Sequence, residues 1–175
     1  MKKVIILAIT ALMAGSSAIA QHCGNCPHHR QQQQCAAPAQ PQKNADGIDL
    51  VVVKAFPKVK SVKADGKWIE VLDAQKNLLG YVVYSKPASD AIKGYAGETP
   101  VMIAFDVKKK ITGVYLLANQ ETPGYVKRVQ DAGFFDSWNG LTVKKALKKK
   151  VDTVSGATFT SCAVAQSVQA ALSTL

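Results

Sequence analysis

The sequence predicts an α+β domain in which an antiparallel sheet, built from hairpins, carries peripheral helices. Two pairs of apolar segments, each pair joined by a short polar turn, predict the sheet. A C-terminal segment whose apolar residues recur at helical spacing predicts a long helix. Hairpins followed by helices are typical of the α+β class, whereas strands alternating regularly with helices indicate a parallel sheet.

Composition limits the classes of protein that this chain can form. The 175 residues are 47% apolar and 19% charged, which suffices for one buried core and excludes wholesale disorder. No apolar run long enough to span a bilayer follows residue 20, which excludes a polytopic membrane protein. Four cysteines in a chain of this length do not make a disulfide scaffold.

The elements up to residue 117 follow from apolar runs and turn residues. An apolar stretch before Pro57 predicts a short helix. Polar turns at residues 74–77 and 107–110 each separate two apolar runs. The predicted strands are residues 68–72 and 78–84 in the first hairpin, and residues 101–106 and 111–117 in the second.

Two helices are predicted after residue 117. Thr122 and Pro123 are typical of a helix start, and Gly133 is typical of a stop. Residues 143–151 are strongly basic, and their pattern does not distinguish a helix from a strand or loop. The predicted final helix spans residues 159–175, with apolar residues at helical spacing: Val164, Val168, Ala171, Leu172 and Leu175.

The first 20 residues are typical of a secretory signal peptide. Lys2 and Lys3 precede an apolar run, and Ala18 and Ala20 provide the small residues that a signal peptidase requires. We therefore expect a periplasmic or secreted protein with three parts: signal peptide 1–20, tail 21–45 and folded domain 46–175. The alternative is an uncleaved N-terminal membrane anchor.

The tail, residues 21–45, contains all three histidines and three of the four cysteines. It has no apolar periodicity, so we expect no core there. A low-complexity linker with an incidental disulfide is the simpler interpretation. The alternative is a Zn or Cu(I) site, because closely spaced thiolates and imidazoles bind these metals. Its candidate ligands are Cys23, Cys26, His28 and Cys35.

Residues 152–160, Asp-Thr-Val-Ser-Gly-Ala-Thr-Phe-Thr, carry the most specific signal. Taken alone, they predict a turn of small residues that leads into a helix. Hydroxyl side chains at such a position can cap the helix. The free N–H groups and the dipole at a helix N-terminus also favour a phosphate.

The spacing Asp-x-x-Ser-Gly-Ala-Thr at residues 152–158 resembles the flavinylation signature of the FMN-binding domain family. That family includes the C subunit of the sodium-pumping NADH:quinone reductase and the G subunit of the Rnf complex. The Glu-Thr-Pro-Gly sequence at residues 121–124 is similar to a second family marker, and residues 94–101 resemble its glycine-rich strand entry. This chain departs from the family at Tyr125 and Val126, where Leu-Gly is usual.

The resemblance implies a covalent cofactor. Thr158 would be esterified to the phosphate of FMN by a Mg-dependent flavin transferase that uses FAD, because an unactivated threonine hydroxyl is a poor nucleophile. Gly156 and Ala157 would let the active site of that enzyme approach the backbone closely, because their side chains are absent or small. The remaining implied cofactor-binding residues are Asp152 (recognition or positioning, or merely a turn carboxylate), Ser155 and Thr160 (phosphate or helix cap), and Thr122 and Gly124 (near the flavin).

The expected function is electron relay through covalent FMN between redox partners, one of them membrane-associated. An electron-transfer flavoprotein or a component of a redox complex fits better than a stand-alone enzyme. The alternatives are an FMN-dependent reductase of a small substrate, or a flavin-free metal-handling module that uses the tail.

Lysine clusters at residues 108–110 and 144–150 contribute to a formal net charge of +10. They are expected to be solvated faces or docking surfaces for an acidic partner or anionic lipid. Nucleic acid is not an expected partner outside the cytoplasm. Cys162 is expected to be a small buried residue, and Trp68 and Trp138 are expected in the core.

Overall fold

The computed structural model describes residues 42–175. Its centre is a five-stranded antiparallel sheet whose strands pair in chain order, β1-β2-β3-β4-β5. The strands are β1 (Ser61–Asp65), β2 (Trp68–Leu72), β3 (Leu78–Tyr84), β4 (Val101–Phe105) and β5 (Ile111–Leu116). The predicted α+β class, with an antiparallel sheet built from hairpins, is confirmed.

Four α-helices and one 3-10 helix accompany the sheet in the described residues. They are α1 (Leu50–Ala55), α2 (Pro123–Asp131), α3 (Val143–Lys148) and α4 (Thr158–Ser173), with a 3-10 helix (Phe134–Trp138) between α2 and α3. Within residues 42–175 no helix combines the length and apolarity that crossing a membrane requires.

Strand β4 separates two apolar cores, and all five of its residues are buried. Val101, Ile103 and Phe105 pack in the core that contains α4 and the 3-10 helix. Met102 and Ala104 alternate with them and pack in the second core, which includes Val52 of α1. Because successive strand residues face opposite sides of a sheet, helices cover β4 on both faces.

Most predicted elements are present. Both hairpins form, α2 begins after Thr122, and the ambiguous basic segment forms α3. Strand β1 was not predicted, because all five of its residues are exposed and its two apolar residues, Val62 and Ala64, make too short and weak an alternating pattern to identify a strand. The expectation for Cys162 was wrong: this residue lies on the exposed side of α4.

The predicted signal peptide, residues 1–20, lies outside the described residues, as does most of the predicted tail, residues 21–45. The two boundaries stay predictions. The candidate metal ligands Cys23, Cys26, His28 and Cys35 also lie outside the described segment.

Candidate functional site

The motif forms a turn that leads directly into α4. The N–H of Ala157 donates to the carbonyl of Val154 at 3.0 Å, and Gly156 adopts φ +74°, a left-handed conformation that favours glycine. Thr158 is the first residue of α4. The chain therefore presents this threonine at the point where loop becomes helix.

Ser161 links the turn to the helix through two hydrogen bonds. Its hydroxyl accepts a hydrogen bond from the N–H of Val154 at 3.0 Å and donates to the carbonyl of Thr158 at 3.1 Å. Ser161 is fully buried. The position of Thr158 is thus set by a buried side chain one helical turn away.

The motif residues differ in their exposure. Asp152, Ser155, Gly156 and Thr158 are exposed, whereas Ala157 is buried. Ala157 occupies the N-cap position of α4, and no side chain caps this helix end. The first N–H groups of a helix have no acceptor inside it, so this end presents free donors and a positive dipole.

A pocket of about 260 Å³ lies beside the motif. It is lined by Tyr95, Tyr125 and residues 156–160. The rings of Tyr95 and Tyr125 meet edge to face, with centroids 5.0 Å apart and an interplanar angle of 83°. The pocket therefore brings together the motif, the loop before β4 and the first turns of α2.

The buried carboxylate of Glu121 connects two walls of this pocket. Its Oε1 accepts hydrogen bonds from the N–H groups of Ala96 at 2.8 Å and Gly97 at 3.0 Å. Its Oε2 accepts from the hydroxyl of Thr160, which is itself buried. The Thr160 hydroxyl, expected at the phosphate or the cap, is thus engaged by Glu121.

The electrostatics of Glu121 favour the ionised carboxylate. Burial raises the pKa of Glu121, but the hydrogen bonds from the Thr160 hydroxyl and from the N–H groups of Ala96 and Gly97 outweigh that effect and hold it below its usual value. Gly94 makes room for the carboxylate, since a Cβ there would lie 2.7 Å from Oε1. A stable negative charge therefore lies inside this wall.

Thr122 and Gly124 lie at the exposed start of α2, beside Tyr125. Neither lines the pocket itself. From the same helix, Arg128 reaches the motif turn, where a Cβ at Gly156 would collide with its guanidinium. A permanent positive charge is thus held against the loop that precedes Thr158.

The two lysine clusters adjoin. Lys110 forms an isolated antiparallel bridge with Thr142, the residue that precedes α3. The turn at residues 108–110 therefore lies next to the start of the lysine-rich helix. Lys149 has a separate structural role, since its ammonium donates to the carbonyl of Ser137.

Three groups at this site were not predicted from the sequence. Glu121 lies in a marker sequence but has no predicted role of its own, and Ser161 and Arg128 belong to no predicted motif. Each acts through partners remote in the chain or in the folded turn, so only the fold reveals them. Within residues 42–175, no group of three or more His, Cys, Asp or Glu residues is placed to hold a metal ion.

Comparisons with known proteins agree with the motifs. The G subunit of the Na(+)-translocating ferredoxin:NAD(+) oxidoreductase complex of Acetobacterium woodii is 25% identical over 94% of this chain and 85% of its own length. The G subunit of the ion-translocating oxidoreductase complex of Aliivibrio fischeri is 31% identical over 51% of this chain and 49% of its own. NqrC of Shewanella oneidensis has a crystal structure that aligns with 73% of this chain and 70% of its own, at 19% identity and a TM-score of 0.40.

The family model described as FMN-binding domain matches residues 94–173. This span starts at the loop that carries Tyr95, includes Glu121, and ends with α4, so it contains every residue that lines the pocket. The predicted resemblance to the FMN-binding domain family is confirmed over residues 94–173.

Proposed function

We propose that this protein carries FMN covalently on Thr158 and relays electrons between protein partners outside the cytoplasm. The observation that carries the proposal is the placement of Thr158. Thr158 is an exposed residue at the first position of α4, inside the Asp-x-x-Ser-Gly-Ala-Thr motif and at the edge of the aromatic pocket. An external enzyme can reach this residue without unfolding the domain.

The attachment step that we propose consumes FAD. The Thr158 oxygen attacks the phosphorus of the FMN half, the bond to the bridging oxygen of the pyrophosphate breaks, and AMP leaves. The hydroxyl proton passes to a base of the flavin transferase. Within residues 42–175, no histidine or carboxylate forms a hydrogen bond with the Thr158 hydroxyl that would activate it, which is why the base is assigned to the partner enzyme.

The residues present fit FMN. Free N–H groups at the start of α4 and the Arg128 guanidinium beside Gly156 provide a positive field for a phosphate. The aromatic side chains that line the pocket offer surface for the ring system. When bound, the flavin supplies the one- and two-electron chemistry, and the protein supplies position and electrostatics.

The size of the pocket favours relay over a stand-alone reductase. Pockets that enclose a small-molecule ligand have volumes of roughly 300–1,000 Å³, and this one has about 260 Å³. It encloses part of a flavin and leaves the rest of the ring system exposed. The remaining exposed edge of the flavin would then exchange electrons with another protein.

Three observations support protein partners and an extracytoplasmic location. The relatives are subunits of oxidoreductase complexes, and we infer a comparable partner here, associated with the membrane. The signal-peptide pattern of residues 1–20 supports export. The adjoining lysine clusters suit an acidic partner surface.

Mass spectrometry of protein purified from its native host tests the proposal. The mature chain should be heavier by one FMN minus water, and Thr158→Ala should remove that addition. Thr153→Ala is the matched control, because Thr153 is an exposed threonine in the same loop. An adduct that persists in Thr158→Ala contradicts the attachment site, and wild-type protein without an adduct contradicts covalent attachment.

A further inference from the structure

The pocket beside Thr158 has an aromatic lining that attachment through a phosphate does not require. Tyr95 and Phe159 leave 61% and 71% of their surfaces exposed, and both line the pocket. Burial of a large aromatic side chain is energetically favourable. Two of them exposed at one opening therefore indicate a surface that is covered in the working protein.

We propose that Tyr95 and Phe159 hold the isoalloxazine ring of the attached flavin, and that Tyr125 supports Tyr95. This inference rests on the proposed function and adds the residues that orient the ring. Planar aromatic systems pack against one another in offset-stacked or edge-to-face arrangements. The tricyclic flavin is the aromatic group that attachment at Thr158 brings to this opening.

The tyrosine pair has one fixed and one exposed member. Tyr125 lies in α2 and packs against the core that contains α4, while its ring meets Tyr95 edge to face at 5.0 Å. Tyr95 is therefore supported from one side and open to solvent on another. Such a ring is already oriented for stacking, which lowers the entropy cost of binding.

The spacing between the two aromatic walls is set by Glu121. Its carboxylate binds the N–H groups of Ala96 and Gly97, next to Tyr95, and the hydroxyl of Thr160, next to Phe159. One buried side chain thus links both walls through their immediate neighbours. We infer that Glu121 is a positioning residue for the ring.

Flavin emission reports contact with a tyrosine. A phenol in contact with an excited flavin donates an electron to it, and the electron then returns, so emission is lost without net reaction. Phenylalanine is harder to oxidise and does not quench in this way. Tyr95→Phe should therefore raise the emission of the covalent flavin several-fold while iodide reaches the ring no more easily than in wild type.

The experiment uses natively flavinylated full-length protein, with loading measured by mass on each sample. Tyr95→Leu and Phe159→Leu should both increase quenching by iodide, because each removes one aromatic wall. Tyr115→Phe is the control, since Tyr115 lines a different pocket and packs in the second core. It should leave emission and iodide quenching unchanged.

The outcomes separate this inference from the proposed function. A fully loaded Tyr95→Phe protein with wild-type emission, together with unchanged iodide quenching in Phe159→Leu, would overturn the ring position and leave covalent attachment intact. That result would assign the exposed aromatics to contact with a partner protein. Absence of flavin from the wild-type mass would overturn both.

Discussion

Removal of the Glu121 carboxylate should strongly destabilise the domain. Glu121→Ala deprives three donors of their acceptor: the N–H groups of Ala96 and Gly97, which are partly buried, and the Thr160 hydroxyl, which is fully buried. An unsatisfied buried polar group costs about 1–3 kcal/mol, so about 1 kcal/mol for each N–H and about 2 kcal/mol for the hydroxyl give a loss of about 4 kcal/mol. That is a large fraction of the ~5–15 kcal/mol by which domains are stable.

Glu121→Gln separates charge from shape. The amide oxygen can accept from the two N–H groups, and its NH₂ can donate to Thr160, whose hydroxyl can turn to accept. Only the extra strength of bonds to a charged acceptor is lost, and relief of desolvation offsets part of it. We expect a cost of about 1–2 kcal/mol.

Acid should reveal the same interaction. The pKa of Glu121 is lowered in the folded protein, so its contribution to stability is complete above the unfolded pKa of about 4.3 and is lost as pH falls through the lower folded value. The free energy of unfolding of wild type should therefore fall below about pH 4.3 more steeply than that of Glu121→Gln. Comparison with this variant cancels the contributions of Asp73 and Glu98, whose pKa values are also lowered.

Urea unfolding followed by tryptophan emission measures these free energies, since Trp138 is buried in the core and Trp68 packs against it. The slope with urea should stay constant across variants if only stability changes. A cost below about 1 kcal/mol for Glu121→Ala would show that water replaces the carboxylate, and the buried connection would then have no energetic role. Parallel pH profiles for wild type and Glu121→Gln would contradict the assigned pKa direction.

Two further predictions concern glycine and lysine positions. Gly94→Ala places a Cβ 2.7 Å from the Glu121 carboxylate and should lower the free energy of unfolding in urea by about 1–3 kcal/mol. Gly124→Ala is the control, because the space around Gly124 is open, and it should change the free energy of unfolding by less than about 1 kcal/mol. Equal effects of the two substitutions would refute the steric argument. Substitution of exposed α3 lysines by Glu should slow electron transfer to an acidic partner and weaken the dependence of its rate on salt. Salt screens the attraction between the two proteins, because the Debye length shrinks from about 30 Å at 0.01 M salt to about 10 Å at 0.1 M. An unchanged rate and an unchanged salt dependence would show that the cluster is only a solvated face. The lysines to reverse are Lys144, Lys145 and Lys148; Lys149 is kept because it bonds Ser137.

The sequence predicted those parts of the fold that depend on local pattern. Both hairpins have apolar strands and polar turns, and α2 has proline at its first position, so short windows suffice to identify them. Strand β1 could not be found in this way, because its five exposed residues are held by pairing with β2 and not by burial. Cys162 was misplaced because the small residues around it on α4 give little indication of which side faces the core.

The same distinction between local pattern and long-range contact applies to the candidate site. The position of Thr158 at a helix start follows from a contiguous motif, and the structure has α4 begin there. The connection from Glu121 to residues 96, 97 and 160 joins three separate segments, and no window of sequence contains it. The same holds for Arg128 at Gly156 and for the contact between Tyr95 and Tyr125.

The division between exposed and buried groups bears on the order of maturation. Thr158 is exposed, yet the groups that fix its position, Ser161 and the Glu121–Thr160 pair, are buried. A transferase that recognises this geometry would therefore meet it only after the domain has folded, since an unfolded chain presents the motif without the turn. On the proposed function, flavinylation follows folding, and a variant such as Glu121→Ala should lose covalent flavin in proportion to its unfolded fraction.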